Sequence, residues 1–417
     1  LALACVIIIL LILAIFIFAL PKFKIIQKLI DKLNLVSREN LSGIMVSRAF
    51  RTQEYEEERF DKVNTELTKV NLFVNRAMTI MMPAMTFVMN GIMLVIVWVG
   101  AKQIEASNLQ IGDMMAFMQY AMQVIMSFLM MSMMFIMFPR AAVSGKRISE
   151  VLETEPSIKD AENSKEFDKN KLGLVEFKDV SFKYEGADEY VLEDINFIAK
   201  PGQTTAFIGS TGSGKSTLIK LVPRFNDVTS GEILVNGVNV KDVKLSELQR
   251  QIGYVPQKGS LLSGTIKTNI KYGNPDASDE FVKECAEIAQ ATEFIETKEE
   301  KYDSPISQNA KNVSGGQKQR LSIARAIAKN APIYIFDDSF SALDFKTDAK
   351  LRQALKDKMK NATILIVAQR VSTIMNAEQI IVLDKGKIVG KGTHSELLKN
   401  CPTYYEIASS QLTKEEL

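Results

Sequence analysis

GSTGSGKST, residues 209 to 217, follows the apolar run TTAFI and opens the helical pattern KSTLIKLV. The stretch fits G-x-x-x-x-G-K-[ST]. Its glycines let backbone N–H groups close around phosphates, Lys215 reaches the terminal phosphates, and Ser216 is placed to ligate Mg²⁺. Gly209, Ser210, Thr211, Gly212, Ser213, Gly214 and Thr217 complete the loop and the helix start. A strand running through a glycine loop into a helix is the unit of an α/β nucleotide-binding fold. The surroundings agree: LVEFKDVSFKY (174–184) and VLEDINFIA (191–199) read as strands, and strand and helix patterns alternate beyond.

The 417 residues are enough for two or three domains, and 51 basic against 49 acidic residues leave no electrostatic footprint for nucleic acid. That balance hides a division. Residues 77–101 and 114–138 carry no charge, and residues 1–20, LALACVIIILLILAIFIFAL, form a third apolar run. Each reaches the ~20 residues that a helix needs to cross ~30 Å of hydrocarbon. The first run has no basic flank ahead of it and no A-x-A site, so it reads as a span and not as a signal peptide. Three crossings, with Leu1 already inside an apolar run, lead us to expect a fragment whose upstream part is missing. The loop KQIEASNLQIGD has a single Lys, whereas PKFKIIQK and PRAAVSGKR are basic, so residues 21–75 and everything after 139 are expected on the cytoplasmic side.

Residues 21–75 show apolar positions at helical spacing among charges and are read as cytoplasmic helices. Pro83 is expected to kink the second span. Sixteen of the 19 methionines fall between Met78 and Met137; a flexible, polarizable wall suits varied apolar ligands, and it equally suits packing or lipid contact. The domain reading is a membrane region over 1–149, a linker over 150–172, a nucleotide-binding domain over 173–410 and a tail over 411–417. Cys5, Cys285 and Cys401 have no paired or metal-ligand spacing, which fits a reducing cytoplasm.

Two more stretches carry chemistry. PIYIFD runs an apolar strand into Asp337, a metal-binding carboxylate, and NVSGGQKQRLSIARAIA sets a small glycine turn at the start of an amphipathic helix. Helix N-termini attract anions. Because one loop already cradles the phosphates, the second helix start implies another anion or a nucleotide held by a second copy of the domain.

The order GSTGSGKST, VPQ (255–257), NVSGGQKQR, IYIFDDS, SALD and IVAQR resembles the ATP-binding domain of ABC transporters. The upstream half looks like the last three of the six helices of an exporter's membrane domain, and SGIMVSRAFRTQEYEEERF is similar to that family's second cytoplasmic loop. The resemblance implies a multidomain membrane protein, an all-α transmembrane domain followed by an α/β P-loop ATPase domain. It implies a multi-pass protein of the cell membrane with its ATP-binding domain in the cytoplasm. It implies ATP and Mg²⁺ as ligands, membrane lipids and a second half-transporter as partners, and export of an apolar or amphipathic substrate: lipid, drug or peptide. Family importers keep the two domains on separate chains.

Residue by residue, Tyr184 resembles the aromatic that stacks on adenine, although a lone Tyr at a strand end also serves packing. Gln257 resembles the glutamine that joins Mg²⁺ and the membrane domain, and Asp337 the carboxylate that holds the metal with Ser216. Ser314, Gly315, Gly316 and Gln317 look like the signature that grips the γ-phosphate of ATP on the opposite subunit. Asp344 would lie at the same interface. His394 is given no chemistry.

Two positions depart from the pattern. The family's catalytic base is a Glu directly after the metal-binding Asp; here Asp338 stands there, which draws the carboxylate back by ~1.5 Å. The family's switch histidine is replaced by Gln369, whose amide can hydrogen-bond a phosphate but cannot become cationic. Val313 replaces the usual Leu of the signature, and SPISQNA (304–310) departs from the acidic loop of homodimeric exporters. The pattern resembles the degenerate-site subunit of heterodimeric exporters: slow turnover at its own site and an intact signature for the partner's. The alternatives are a homodimeric exporter and an ATP-binding gating subunit that does not pump.

Overall fold

The computed structural model describes residues 2–413; Leu1 and residues 414–417 of the expected tail lie outside them. The chain divides into two compact units between residues 155 and 156.

The first unit is three long helices, α1 (Ala2–Phe50), α2 (Gln53–Glu105) and α3 (Ile111–Leu152). The 53 residues of α2 correspond to roughly 80 Å at the ordinary helical rise, more than twice the hydrocarbon thickness. The helices therefore do not stop where the apolar runs stop. Residues 21–50 continue α1 and residues 53–76 begin α2, so the charged segment consists of extensions of the same helices. Backbone hydrogen bonds are indifferent to the change from apolar to charged side chains: Pro21 stands at that change in α1 and is carried inside the helix, and in α2 no glycine or proline lies at the change. The reversal falls at Arg51, which has positive φ, and the Thr52 N–H donates to Ser47 O at 3.0 Å. α2 runs on through Pro83 without ending.

Val36, Val63 and Val74 are buried along α1 and α2, and Met85 packs with Ile125 between α2 and α3. Most other apolar side chains of this unit face outward, among them Phe87, Met130 and Phe138. An apolar surface this extensive is covered by lipid or by further helices. Among the described residues, Gln53–Glu105 is the helix long and apolar enough by composition to cross a membrane.

The second unit contains three sheets. β1 (Val175–Phe182), β2 (Leu192–Ala199), β4 (Ser230–Val235) and β5 (Val238–Asn239) form an antiparallel sheet in the order β2-β1-β4-β5. β3 (Thr204–Gly209), β6 (Ile252–Val255), β9 (Ile333–Asp337), β10 (Thr363–Val367), β11 (Gln379–Asp384) and β12 (Lys387–Gly392) form the main sheet, ordered β12-β11-β3-β10-β9-β6. Its strands are parallel except β12. β7 (Gly264–Thr265) and β8 (Pro305–Ile306) make a small ribbon.

The parallel strands are buried on both faces, which is why IYIFD and TILIV read as unbroken apolar runs. Alternate residues serve different cores. Phe207, Ile335, Leu365 and Val367 join β1, β2 and β4 in one; Ile208, Phe336, Ile364 and Ile366 join the helix Gly315–Ala328 in the other.

The polar stretch 150–172 is divided. Residues 150–152 finish α3, and the part beyond 155 belongs to the second unit, where Lys165 pairs with Asp242 at 2.8 Å and the Leu245 N–H donates to Asp160 at 2.7 Å.

Candidate nucleotide site

Strand register brings the site together. Four neighbouring parallel strands end at one edge, the carboxyl edge where open α/β sheets bind their ligands. β3 ends at Gly209 and β9 at Asp337. Val367 lies opposite both Phe207 and Asp337, and Val255 lies opposite Phe336. The residues just past these ends, 210–216, 257, 338 and 369, are therefore neighbours although some 160 positions of sequence separate them.

The loop 209–214 needs its glycines. Gly212 and Gly214 have φ of +82° and +93°, and a Cβ on Gly214 would stand 2.7 Å from Leu192 Cδ2 and 3.0 Å from Val191 O. Conformation thus disfavours a side chain at both positions, and space excludes one at Gly214. Lys215 Nζ donates to Gly209 O (2.8 Å), Ser210 O (2.7 Å) and Ser213 Oγ (3.3 Å). Burial pushes the Lys215 ammonium down from its ordinary value, while Asp338 and Asp337 pull it back up. Ser213 is buried, and Ser210 and Thr211 are exposed at the loop tip.

Ser216 Oγ donates to Asp337 Oδ1 at 2.7 Å, and Tyr254 OH donates to Asp337 Oδ2 at 3.4 Å. Burial, then the charge of Asp337, pushes the Tyr254 phenol up, so it stays protonated as a donor. A hydroxyl and a buried carboxylate are hard oxygen donors, and Mg²⁺ takes only one or two such groups together with phosphate oxygens. The pair Ser216 and Asp337 fits that ion. Tyr184 OH lies 3.2 Å from Thr217 Oγ1 and its ring is partly exposed beside Phe182, so an aromatic face stands at the helix start.

Both departures from the family pattern meet here. Asp338 is buried, has φ of +48°, and accepts at one oxygen, Oδ2, from Gln369 Nε2 (2.6 Å) and Gln257 Nε2 (3.3 Å). Burial raises the Asp338 carboxyl above its ordinary value, the two amides oppose that shift, and the charge of Asp337 adds to it. Its backbone is fixed as well, with its N–H donating to Val367 O at 3.0 Å and its C=O accepting from Ser341 Oγ at 2.9 Å.

The remaining candidates lie apart from the loop. Ser314 caps the helix Gly315–Ala328, its Oγ accepting from Gln317 N (3.3 Å) while Gln317 Oε1 accepts from Ser314 N (3.0 Å). Among the described residues, no hydrogen bond joins this turn to residues 209–217. A Cβ on Gly315 would meet open space, and one on Gly316 would stand 3.3 Å from Ala342 O. Asp344 is exposed and caps the helix Phe345–Lys358 through Thr347 N at 3.0 Å; that backbone bond lowers its carboxyl. These groups thus face outward from a single copy. His394 pairs with Tyr404 OH at 2.7 Å away from the site.

Sequence reading missed Gln319. It is buried, its Oε1 accepts from Gly259 N at 3.0 Å, and its Nε2 donates to Pro256 O at 3.3 Å. The signature helix is thereby tied to the loop carrying Gln257. The available signal was an amide on the buried face of an amphipathic helix. Gln319→Leu leaves those two backbone groups without this partner and should lower unfolding stability by about 1–3 kcal/mol; a denaturant titration of the ATP-binding unit measures it.

Known proteins resemble the chain along both units. Residues 192–341 match the family described as ABC transporter, and residues 1–128 match the ABC transporter transmembrane region. An uncharacterised ABC transporter ATP-binding protein of Mycobacterium tuberculosis is 42% identical over 395 residues, 94% of this chain and 68% of the relative. An ATP-dependent lipid A-core flippase of Syntrophus aciditrophicus is 33% identical over 391 residues, 94% and 65% of the two chains. The structure of a bacterial Atm1-family ABC exporter with ATP bound superposes with a TM-score of 0.86 at 26% identity, covering 99% of this chain and 72% of that one.

Proposed function

Because the chain belongs to the ABC transporter family and joins an exporter's membrane region to its ATP-binding ATPase domain, we propose that it is the ATP-holding half of a heterodimeric exporter. One observation carries the reading: the carboxylate at the base position is one methylene short and accepts two amides at its Oδ2. A general base must reach within ~2.6–3.2 Å of the proton that it takes, directly or through one water. Asp338 is short, and its Oδ2 already accepts two donors. Gln369 supplies no cation to a phosphate. Binding groups remain whole: the loop amides and Lys215 receive the phosphates, and Tyr184 offers a face to the base. Ser216 and Asp337 would hold Mg²⁺, which when bound neutralises phosphate charge.

The outward-facing Ser314, Gly315, Gly316 and Gln317 then serve ATP on a partner chain, with Asp344 beside them. Closure of the two ATP-binding units around nucleotide would be passed to the membrane by the cytoplasmic extensions of α1 and α2. For the substrate, α3 presents a largely exposed face formed by Tyr120, Gln123, Val124, Ser127, Phe128 and Met131. An apolar face carrying the polar groups of Tyr120, Gln123 and Ser127 suits an amphipathic molecule, and a flippase for lipid A-core among the relatives points the same way.

The complex is to be recovered from native membranes through a tag on this chain. A companion chain should co-purify, and removing the companion's own catalytic base should abolish most ATP hydrolysis. Fast hydrolysis by this chain alone would contradict the reading and favour a homodimer.

A further inference from the structure

Gln369 is held from its backbone as well as from its side chain. Its C=O accepts from Gln411 Nε2 at 2.9 Å, and Gln411 Oε1 accepts from the Val371 N–H at 2.8 Å. One amide from the end of the described chain thus grips the backbone on both sides of Arg370, directly after the residue whose own amide rests on Asp338. The local reason is a missing cap. The helix Val371–Ile374 starts at Arg370, which provides no side-chain cap, and first-turn N–H groups have no partner within a helix. Gln411 provides it from forty residues downstream.

The platform under Gln411 is firm. Tyr404 and Ala408 of the helix Pro402–Ser409 are fully buried, the N–H groups of Gln411 and Leu412 both donate to Ala408 O (3.0 and 2.9 Å), and Leu412 packs on the core. On its other side, Arg370 donates to Ser341 O at 3.4 Å and lies over the Phe345 ring, next to the Asp344 cap. The 369–371 segment is therefore clasped between the C-terminal helix and the turn that follows Asp338.

We propose that Gln411 is a positioning residue of the nucleotide site: by fixing the 369–371 backbone it holds the Gln369 amide against Asp338. The inference is independent of which site cleaves ATP. It needs only that nucleotide occupies the 209–217 loop.

The test follows release of a fluorescent ATP analogue from the full-length transporter in lipid, the phase belonging to this chain being the one lost in Lys215→Ala. Gln411→Ala removes both bonds and should speed that phase about three- to tenfold, with only a small drop in the thermal midpoint, because Gln411 is exposed and water can replace it. Gln411→Glu keeps the acceptor for Val371 N–H but sets a carboxylate oxygen against Gln369 O in place of the donor, so it should speed the phase as well. A release rate unchanged in Gln411→Ala would overturn the proposal. So would acceleration in both variants accompanied by a large loss of thermal stability, since that marks a packing role alone.

Discussion

Restoring Glu at 338 together with His at 369 should raise hydrolysis at this chain's site by about 10²-fold, at the lower end of what a positioned general acid–base group contributes. The Glu arm regains the ~1.5 Å that Asp338 lacks. The His removes the Gln369 amide that sits 2.6 Å from the carboxylate, and it offers a phosphate a ring able to carry charge. Either change alone should give much less. Glu alone still meets the Gln369 amide, and His alone faces a carboxylate that ends short. The gain carries a stability cost, because residue 338 sits at φ of +48°. Asp adopts that region more readily than Glu, and the penalty is on the order of 1–2 kcal/mol. The experiment is an ATPase assay on the full complex in which the partner's own base has been removed, so that this site supplies the signal. No gain in the double variant would show that the two positions do not limit hydrolysis.

Lys215→Ala should weaken ATP binding by this chain about 10²-fold. The ammonium donates to three loop oxygens and is the cation set among the phosphate-binding amides. A hydrogen bond to a charged group contributes about 1.5–3 kcal/mol, and every 1.4 kcal/mol is tenfold in affinity. Titration with a fluorescent nucleotide measures the loss, and a change of only a few-fold would mean that the phosphates lie elsewhere. A pH effect accompanies it. Burial lowers the Lys215 pKa, and phosphate prefers the protonated form. Affinity should therefore fall as pH rises through that depressed value, at lower pH than an ordinary lysine would give. Lys215→Arg should shift the fall upward, since guanidinium stays charged.

The sequence made the fold class legible because its strongest signals are local. A glycine loop between strand and helix, and buried parallel strands written as IYIFD and TILIV, need no tertiary information. What it hid depends on register. The family resemblance places residues 257, 338 and 369 at one site, but their contacts with one another follow from the pairing of Val255 with Phe336 and of Val367 with Asp337. The sequence puts the changes at 338 and 369 in one constellation, but it does not show that Gln257 and Gln369 both donate to Asp338 Oδ2. Gln319 and Gln411 are single amides whose partners are backbone groups, and backbone groups leave no trace in a sequence. The helices gave the reverse problem. The charged stretch opens at Pro21, which α1 absorbs, and α2 passes from charged to apolar with no glycine or proline at the change, so a reading by composition sees boundaries that neither helix respects.

The most direct test of intact ATP retention uses azido-ATP labelled with radioactive phosphorus at either the α- or the γ-position. The full complex, purified from native membranes, is cross-linked to each label after several turnovers, and the two chains are separated. A site that holds ATP intact will leave equal amounts of α- and γ-label on this chain while the partner loses its γ-label. Loss of γ-label from this chain at the partner's rate would contradict it.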